Sequence, residues 1–146
     1  TGLRRRASGR DGAMAGIDRI KQAKERSDAE LEALRGANLS LEDVYAHLKA
    51  FIACRYLIDD GFWDDDVNAL AEHSIELRLA ALEDGDGLGD LSMNCAGASS
   101  VETKYALLLI TLRKSLDLSI DPVMAATLDT VPLLAREVKR QLDARR

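Results

Sequence analysis

After residue 14, apolar residues recur at intervals of three and four along almost the whole chain. This spacing places them on one face of an α-helix, whereas a strand shows alternation at every second residue. The pattern therefore predicts an all-α protein. We expect long helices over about 17–35, 41–58, 65–83, 99–116 and 131–142, with one short helix after residue 122.

Polar residues placed just before these apolar stretches indicate where helices begin. Ser40 carries a hydroxyl that can cap the second helix, and Asp43 follows three residues later, the spacing of a capping box. Proline occurs in the first turn after Asp121 and again after Thr130, where a missing amide proton costs nothing. Three helix starts are thus predicted from local chemistry alone.

Composition narrows the class of protein. The 146 residues are 47% apolar and 31% charged, which is typical of a compact globular chain. The longest apolar run, from Tyr105 to Leu112, is far shorter than the roughly 20 residues of a membrane-spanning helix, and no apolar signal-peptide core follows the N-terminus. We therefore expect a cytoplasmic protein that does not bind membranes. A pI near 5.1 argues against a nucleic-acid partner.

The last third of the chain contains an ordered set of motifs. Ser99-Ser100-Val101-Glu102 reads as a capping box with Ser99 as N-cap, which places Ser100 in the first helical turn. An amphipathic helix follows, and then come an aspartate- and isoleucine-bearing loop at 116–122, a short helix, and Thr130-Val131 at the start of the last helix.

This order resembles the acyl carrier protein family, whose latter half has the same succession of elements. Gly97-Ala98-Ser99-Ser100-Val101 is similar to the family's Gly-x-Asp-Ser-Leu motif, with Ser99 in place of the aspartate and Val101 in place of the leucine. The resemblance implies that Ser100 carries a 4′-phosphopantetheine arm, with Ser99 as the alternative attachment point. It also implies that a phosphopantetheinyl transferase and acyl-transfer enzymes are the partners. A carrier needs no catalytic residue of its own, so we expect no enzymatic activity.

The resemblance also sets the expected organisation of the chain. Residues 1–13 are rich in arginine, glycine and serine, and we interpret them as a disordered tail or a remnant of an expression vector. Residues 14–61 form an N-terminal helical extension, and 62–146 form an acyl-carrier-like four-helix core. The predicted core residues are Leu70, Leu79, Leu108, Leu112, Ile120, Val131 and Leu134. The apolar faces before residue 84 could equally build a separate hairpin, and the oligomeric state is open.

A glycine-dense acidic segment precedes Ser99. Asp84, Asp86 and Asp90 are spaced like part of a calcium loop, but Leu88 and Cys95 occupy the third and last ligand positions. We therefore predict an acidic turn and no metal site.

The remaining reactive side chains have simple structural interpretations. Cys54 lies among apolar residues of the second helix and is predicted to be a core residue, while Cys95 has no histidine near it in sequence. His47 and His73 fall on different helices and are predicted to pack rather than to bind a ligand. Phe62-Trp63 is predicted to anchor the core, although an exposed tryptophan could bind a partner.

These observations leave two classes of function open. The first is a carrier, with the arm or as a degenerate relative that lacks it. The alternative is a non-catalytic helical scaffold that binds other proteins through its polar first helix and its acidic middle, where residues 62–96 carry a net charge of -8.

Overall fold

The structure, a computed structural model, describes residues 12–84 and 100–145. Within these ranges the chain is all-α, as predicted, and forms a helical bundle. The helices are α1 (Gly12–Leu34), α2 (Leu41–Arg55), α3 (Val67–Asp84), α4 (Val101–Leu116), α5 (Pro122–Thr127) and α6 (Val131–Ala144).

Three predicted helix starts are confirmed at the level of individual hydrogen bonds. The Ser40 hydroxyl accepts the Asp43 amide proton, and the Asp43 carboxylate accepts the Ser40 amide proton in return, each at 3.0 Å. Asp121 caps α5 and Thr130 caps α6. Helix α1 begins at Gly12, five residues before the predicted start, so the last two residues of the segment interpreted as a tail are helical.

Helix α3 begins directly after three consecutive aspartates, Asp64 to Asp66. Asp66 Oδ1 accepts the amide protons of Asn68 at 2.8 Å and Ala69 at 3.4 Å. The same residue forms an isolated antiparallel bridge with Thr130, the cap of α6. The Val67 amide donates to the Asp129 carbonyl at 3.1 Å, and the Val131 amide donates to the Asp65 carbonyl at 2.7 Å. The starts of α3 and α6 are therefore fastened together through the backbone.

The helices share one hydrophobic core. Helix α1 packs against α2 and α4, α2 packs against α6, and α3 packs against α4. The core is built from both sides of residue 61, because its fully buried side chains include Leu34, Phe51 and Ile52 as well as Leu112 and Leu134. Residues 14–61 and 62–146 thus contribute to the same interior.

Six of the seven predicted core residues are buried. The exception is Leu79 on α3, which is 53% exposed, so that prediction was wrong. The buried face of α3 passes instead through Ser74 and Arg78, which are 3% and 8% exposed. Ser74 can lie there because its hydroxyl donates to the Tyr56 carbonyl at 2.6 Å, which satisfies a polar group that would otherwise be costly to bury.

Candidate functional site

The predicted attachment residue, Ser100, lies at the start of α4 and is half-buried. Its backbone is extended, with φ at -115° and ψ at 149°, and its hydroxyl accepts the Thr103 amide proton at 3.1 Å. The same hydroxyl lies 2.7 Å from Thr103 Oγ1 and donates to it. Ser100 is therefore the N-cap residue of α4.

This arrangement corrects the predicted register of the cap by one residue. Ser99 was predicted to be the N-cap and Glu102 its partner at the third helical position. With Ser100 as N-cap, that third position is Thr103, because a cap oxygen reaches the amide two or three residues ahead. Ser99 lies outside the described residues, and so do Asp86, Asp90 and Cys95 of the predicted acidic turn.

The start of α4 has the electrostatics of a helix N-terminus. Its first-turn amides have no carbonyl of the preceding turn to bond, and the helix dipole places partial positive charge there. The Thr103 amide is used by the Ser100 hydroxyl, and the Lys104 amide donates to the Ser100 carbonyl at 3.1 Å. An anionic group esterified to Ser100 would therefore lie in favourable potential.

A buried cation and two tyrosines lie one turn further along. Lys104 is 2% exposed, and its ammonium group lies 5.1 Å from the centroid of the Tyr56 ring. Burial raises the pKa of Tyr56, and its hydroxyl has no hydrogen-bond partner within residues 12–84 and 100–145. The hydroxyl of Tyr105 donates to the Leu128 carbonyl, and burial, followed by the nearby charge of Asp129, raises the pKa of this tyrosine as well. Tyr105 thereby ties α4 to the connection between α5 and α6.

A groove with a volume of about 380 Å³ runs between α4 and α5. Most of its lining is apolar, and charged groups occur at its rim. The lining residues are Asn68, Glu102, Tyr105, Ala106, Leu109, Ile110, Arg113, Ile120, Asp121, Pro122, Ala125 and Ala126. Its volume lies toward the lower end of the roughly 300–1,000 Å³ of ligand-binding clefts. Sequence patterns did not predict this groove, because its walls come from three separate segments.

Both histidines bond to carboxylates on neighbouring segments. His47 Nδ1 lies 2.7 Å from Glu30 on α1, and His73 Nε2 lies 2.8 Å from Asp60 in the connection between α2 and α3. The ring of His73 also stacks on Phe62, with centroids 4.1 Å apart. The hydrogen bond from His73 is the main cause that lowers the pKa of Asp60. Each histidine thus joins two segments of the bundle.

Trp63 is half-buried and is held by polar contacts. Its indole nitrogen donates to Asp65 Oδ1 at 3.0 Å, and the Tyr45 hydroxyl donates to the same oxygen at 2.6 Å. The ammonium group of Lys49 lies 5.2 Å from the centroid of the indole ring. The tryptophan therefore joins α2 to the start of α3. No sequence signal linked Tyr45 to Asp65, since twenty residues separate them.

The thiol of Cys54 is also accounted for by packing. The side chain is half-buried on α2, and burial raises its pKa, which keeps it protonated and poorly nucleophilic at neutral pH. It lies beside a second depression of about 430 Å³ between α1 and α2, whose rim includes the ion pair of Arg19 and Asp59.

The described residues contain neither a metal-binding cluster nor a membrane-spanning helix. Residues 12–84 and 100–145 hold no group of three or more histidine, cysteine, aspartate or glutamate side chains placed to bind a metal ion. None of the helices in this part of the chain combines the length and the apolar character needed to cross a membrane. Comparison of the chain with protein families, with curated proteins and with solved structures finds no match.

Proposed function

We propose that this chain is a carrier protein that presents a 4′-phosphopantetheine arm, esterified to Ser100, to partner enzymes of fatty-acid, polyketide or related thioester pathways. The observation that supports it most directly is the position of the Ser100 hydroxyl at the start of α4, half-buried and bonded to Thr103 alone among the described residues. A hydroxyl at that place can be reached from solvent and sits beside the positive end of the helix.

The residues at this helix start fit the group. Ser100 would hold the phosphodiester, and the amides of the first turn of α4 would face its anionic oxygens. When bound, the arm supplies a thiol that carries an acyl group as a thioester. The protein itself delivers and positions the acyl group, so Ser100 needs no neighbouring base. The expected partners are a phosphopantetheinyl transferase and acyl-transfer enzymes.

Apolar surface lies close to the proposed attachment residue. The groove between α4 and α5 is mostly apolar, and Glu102, two residues after Ser100, lines one end of it. We place the carrier in the cytoplasm, where the free thiol of Cys54 stays reduced.

A second candidate function is a helical interaction protein without any arm. It is favoured by the same hydrogen bonds. The Ser100 hydroxyl accepts one hydrogen bond from Thr103 and donates one to it, and this capping role fully accounts for a serine at a helix start. In that case the polar first helix and the acidic middle of the chain would bind a partner directly.

One experiment separates the two candidates. The full chain is incubated with coenzyme A and a broad-specificity phosphopantetheinyl transferase, and its intact mass is measured. A carrier gains the mass of one phosphopantetheine. Ser100→Asn removes the nucleophile but keeps a good N-cap residue, so loss of the gain in this variant cannot be ascribed to unfolding.

The outcomes are distinct. Loss of the mass gain in Ser100→Asn but not in Ser99→Ala assigns the arm to residue 100, and the reverse pattern assigns it to residue 99. A folded wild-type chain that gains no mass contradicts the carrier with an arm and favours the interaction protein.

A further inference from the structure

The solvent side of α4 and α5 exposes several large apolar side chains. Leu107 is 37% exposed, Ile110 is 39% exposed, and Val123 on α5 is 79% exposed. Ile110 lines the groove described above together with the buried residues Leu109 and Ile120, and Leu107 and Val123 lie on the same two helices. We call the groove together with these exposed residues the docking face. Exposed apolar side chains beside an apolar groove commonly mark a site of protein association.

The two ends of the docking face differ in charge. Glu102 lies at one end of the groove and Arg113 at the other, and Lys114, which follows Arg113, is exposed. Asp121 also lines the groove, where its carboxylate accepts the Met124 amide proton as the cap of α5. Among residues 17–81 and 100–145, Arg113 and Lys114 have no ion pair, whereas Arg140 and Lys139 on α6 bond to Glu137 and Asp143. Arg113 and Lys114 thus outnumber the Asp121 carboxylate, and both cations are available to acidic groups from outside the chain.

The length of the docking face suits a short helix. Arg113 lies eleven positions after Glu102, which corresponds to roughly 16 Å or three turns at about 1.5 Å per residue. A partner helix lying along it would place apolar residues at positions i, i+3, i+4 and i+7 into the groove, as in other helix-in-groove complexes.

We propose that the docking face binds an amphipathic helix of another protein, oriented so that carboxylates at one of its ends meet Arg113 and Lys114. The apolar side of that helix would fill the groove and cover Ile110 and Val123. This inference does not rest on the proposed carrier function, because no part of the docking face needs an arm on Ser100.

The probes are two synthetic helical peptides of fifteen residues with identical apolar positions. One has three glutamates in a terminal turn, and the other has three lysines at the same places. Binding to the ¹⁵N-labelled full chain is followed at low salt by fluorescence anisotropy and by amide chemical shifts. The glutamate peptide is expected to bind more tightly and to shift the amides of 106–113 and 123–126.

Variants test the charge and the apolar part separately. The double variant Arg113→Glu/Lys114→Glu should weaken the glutamate peptide about tenfold and strengthen the lysine peptide. The control Lys21→Glu/Arg136→Glu makes the same change in net charge at exposed residues off the docking face and should leave both affinities unchanged. Val123→Ala should weaken both peptides without destabilising the fold. Ser100→Asn should bind as the wild type does.

Several outcomes would overturn the proposal. One is failure of both peptides to bind, and another is equal binding that the charge reversal leaves unchanged. A third is a set of shifts in these amides produced by dodecanol but not by peptide, which would make the groove a site for an alkyl chain. A fourth is shifts that depend on protein concentration without peptide, which would make a second copy of the chain the occupant.

Discussion

Helices α5 and α6 begin with the same kind of cap but differ in how deeply they are buried. In each, a side-chain oxygen of the N-cap residue accepts an amide proton from the residue three positions ahead. Asp121 accepts from Met124 at 2.8 Å, and Thr130 accepts from Leu133 at 3.3 Å. Each also has a proline in its first turn. Yet α6 buries five residues in the core, while α5 buries none.

The difference shows that capping and burial are separate properties of a helix. Local chemistry decides where each helix begins, and the caps of both are equally easy to identify in the sequence. Burial depends on an apolar face repeated over several turns, which fourteen residues of α6 supply and six residues of α5 cannot. Helix α5 is therefore free to form one wall of a groove, while α6 stabilises the bundle.

The largest expected effect comes from shortening a buried side chain of α6. Leu134→Ala should lower the free energy of unfolding by roughly 2–5 kcal/mol, because the leucine is fully buried and its removal leaves a cavity. Val123→Ala on α5 is the matched control, and it should change stability by less than about 0.5 kcal/mol. Urea denaturation of both variants measures the contrast, and equal losses would show that α5 is as much part of the core as α6.

A smaller effect is expected from removing the two caps. Thr130→Ala should cost about 1 kcal/mol of global stability, within the range of roughly 0.5–2 kcal/mol for N-cap truncation. Asp121→Ala should affect mainly α5 itself, with a smaller change in global stability. Thermal unfolding gives the global values, and amide exchange in 122–127 gives the local one. A larger loss of global stability for Asp121→Ala than for Thr130→Ala would show that α5, and not α6, stabilises the bundle.

The smallest effect is a pH dependence confined to α6. A hydrogen bond from Arg140, at 3.1 Å, is the main cause that lowers the pKa of Glu137, and Gln141 adds a second hydrogen bond. Because the pKa is lower in the folded than in the unfolded chain, the stabilisation is present above about pH 4.5 and is lost as the pH falls through the folded value.

Glu137→Gln should therefore be less stable than the wild type at pH 7, and the difference should shrink on acidification below pH 4.5. Melting temperatures of both proteins across this range measure it. A difference that stays constant with pH would show that the carboxylate charge contributes nothing.

The fold was predictable where the determining interactions are local. The capping box of Ser40 and the starts of α5 and α6 involve residues three apart, and all are confirmed. The buried face of α3 was partly mispredicted, because Leu79 was placed in the core and the polar residues Ser74 and Arg78 were not. Burial of Ser74 is tolerated because its hydroxyl bonds to the Tyr56 carbonyl, eighteen residues away, and no local pattern encodes such a partner.

The site was predictable to a smaller degree. The sequence indicated a serine at the start of α4, and the structure moves the cap from Ser99 to Ser100. The link from Tyr105 to Leu128 and the groove beside it were not predicted, because each joins segments that come together only through the tertiary fold.

The backbone pairing of Asp66 with Thr130 has a mechanical consequence for the groove. Helix α5 ends at Thr127, and two residues later the Asp129 carbonyl holds the first amide of α3. Any occupant that pushes α5 outward pulls on this short link. Displacement of α5 at the groove is thus coupled to the first turn of α3, where Asn68 lines the groove.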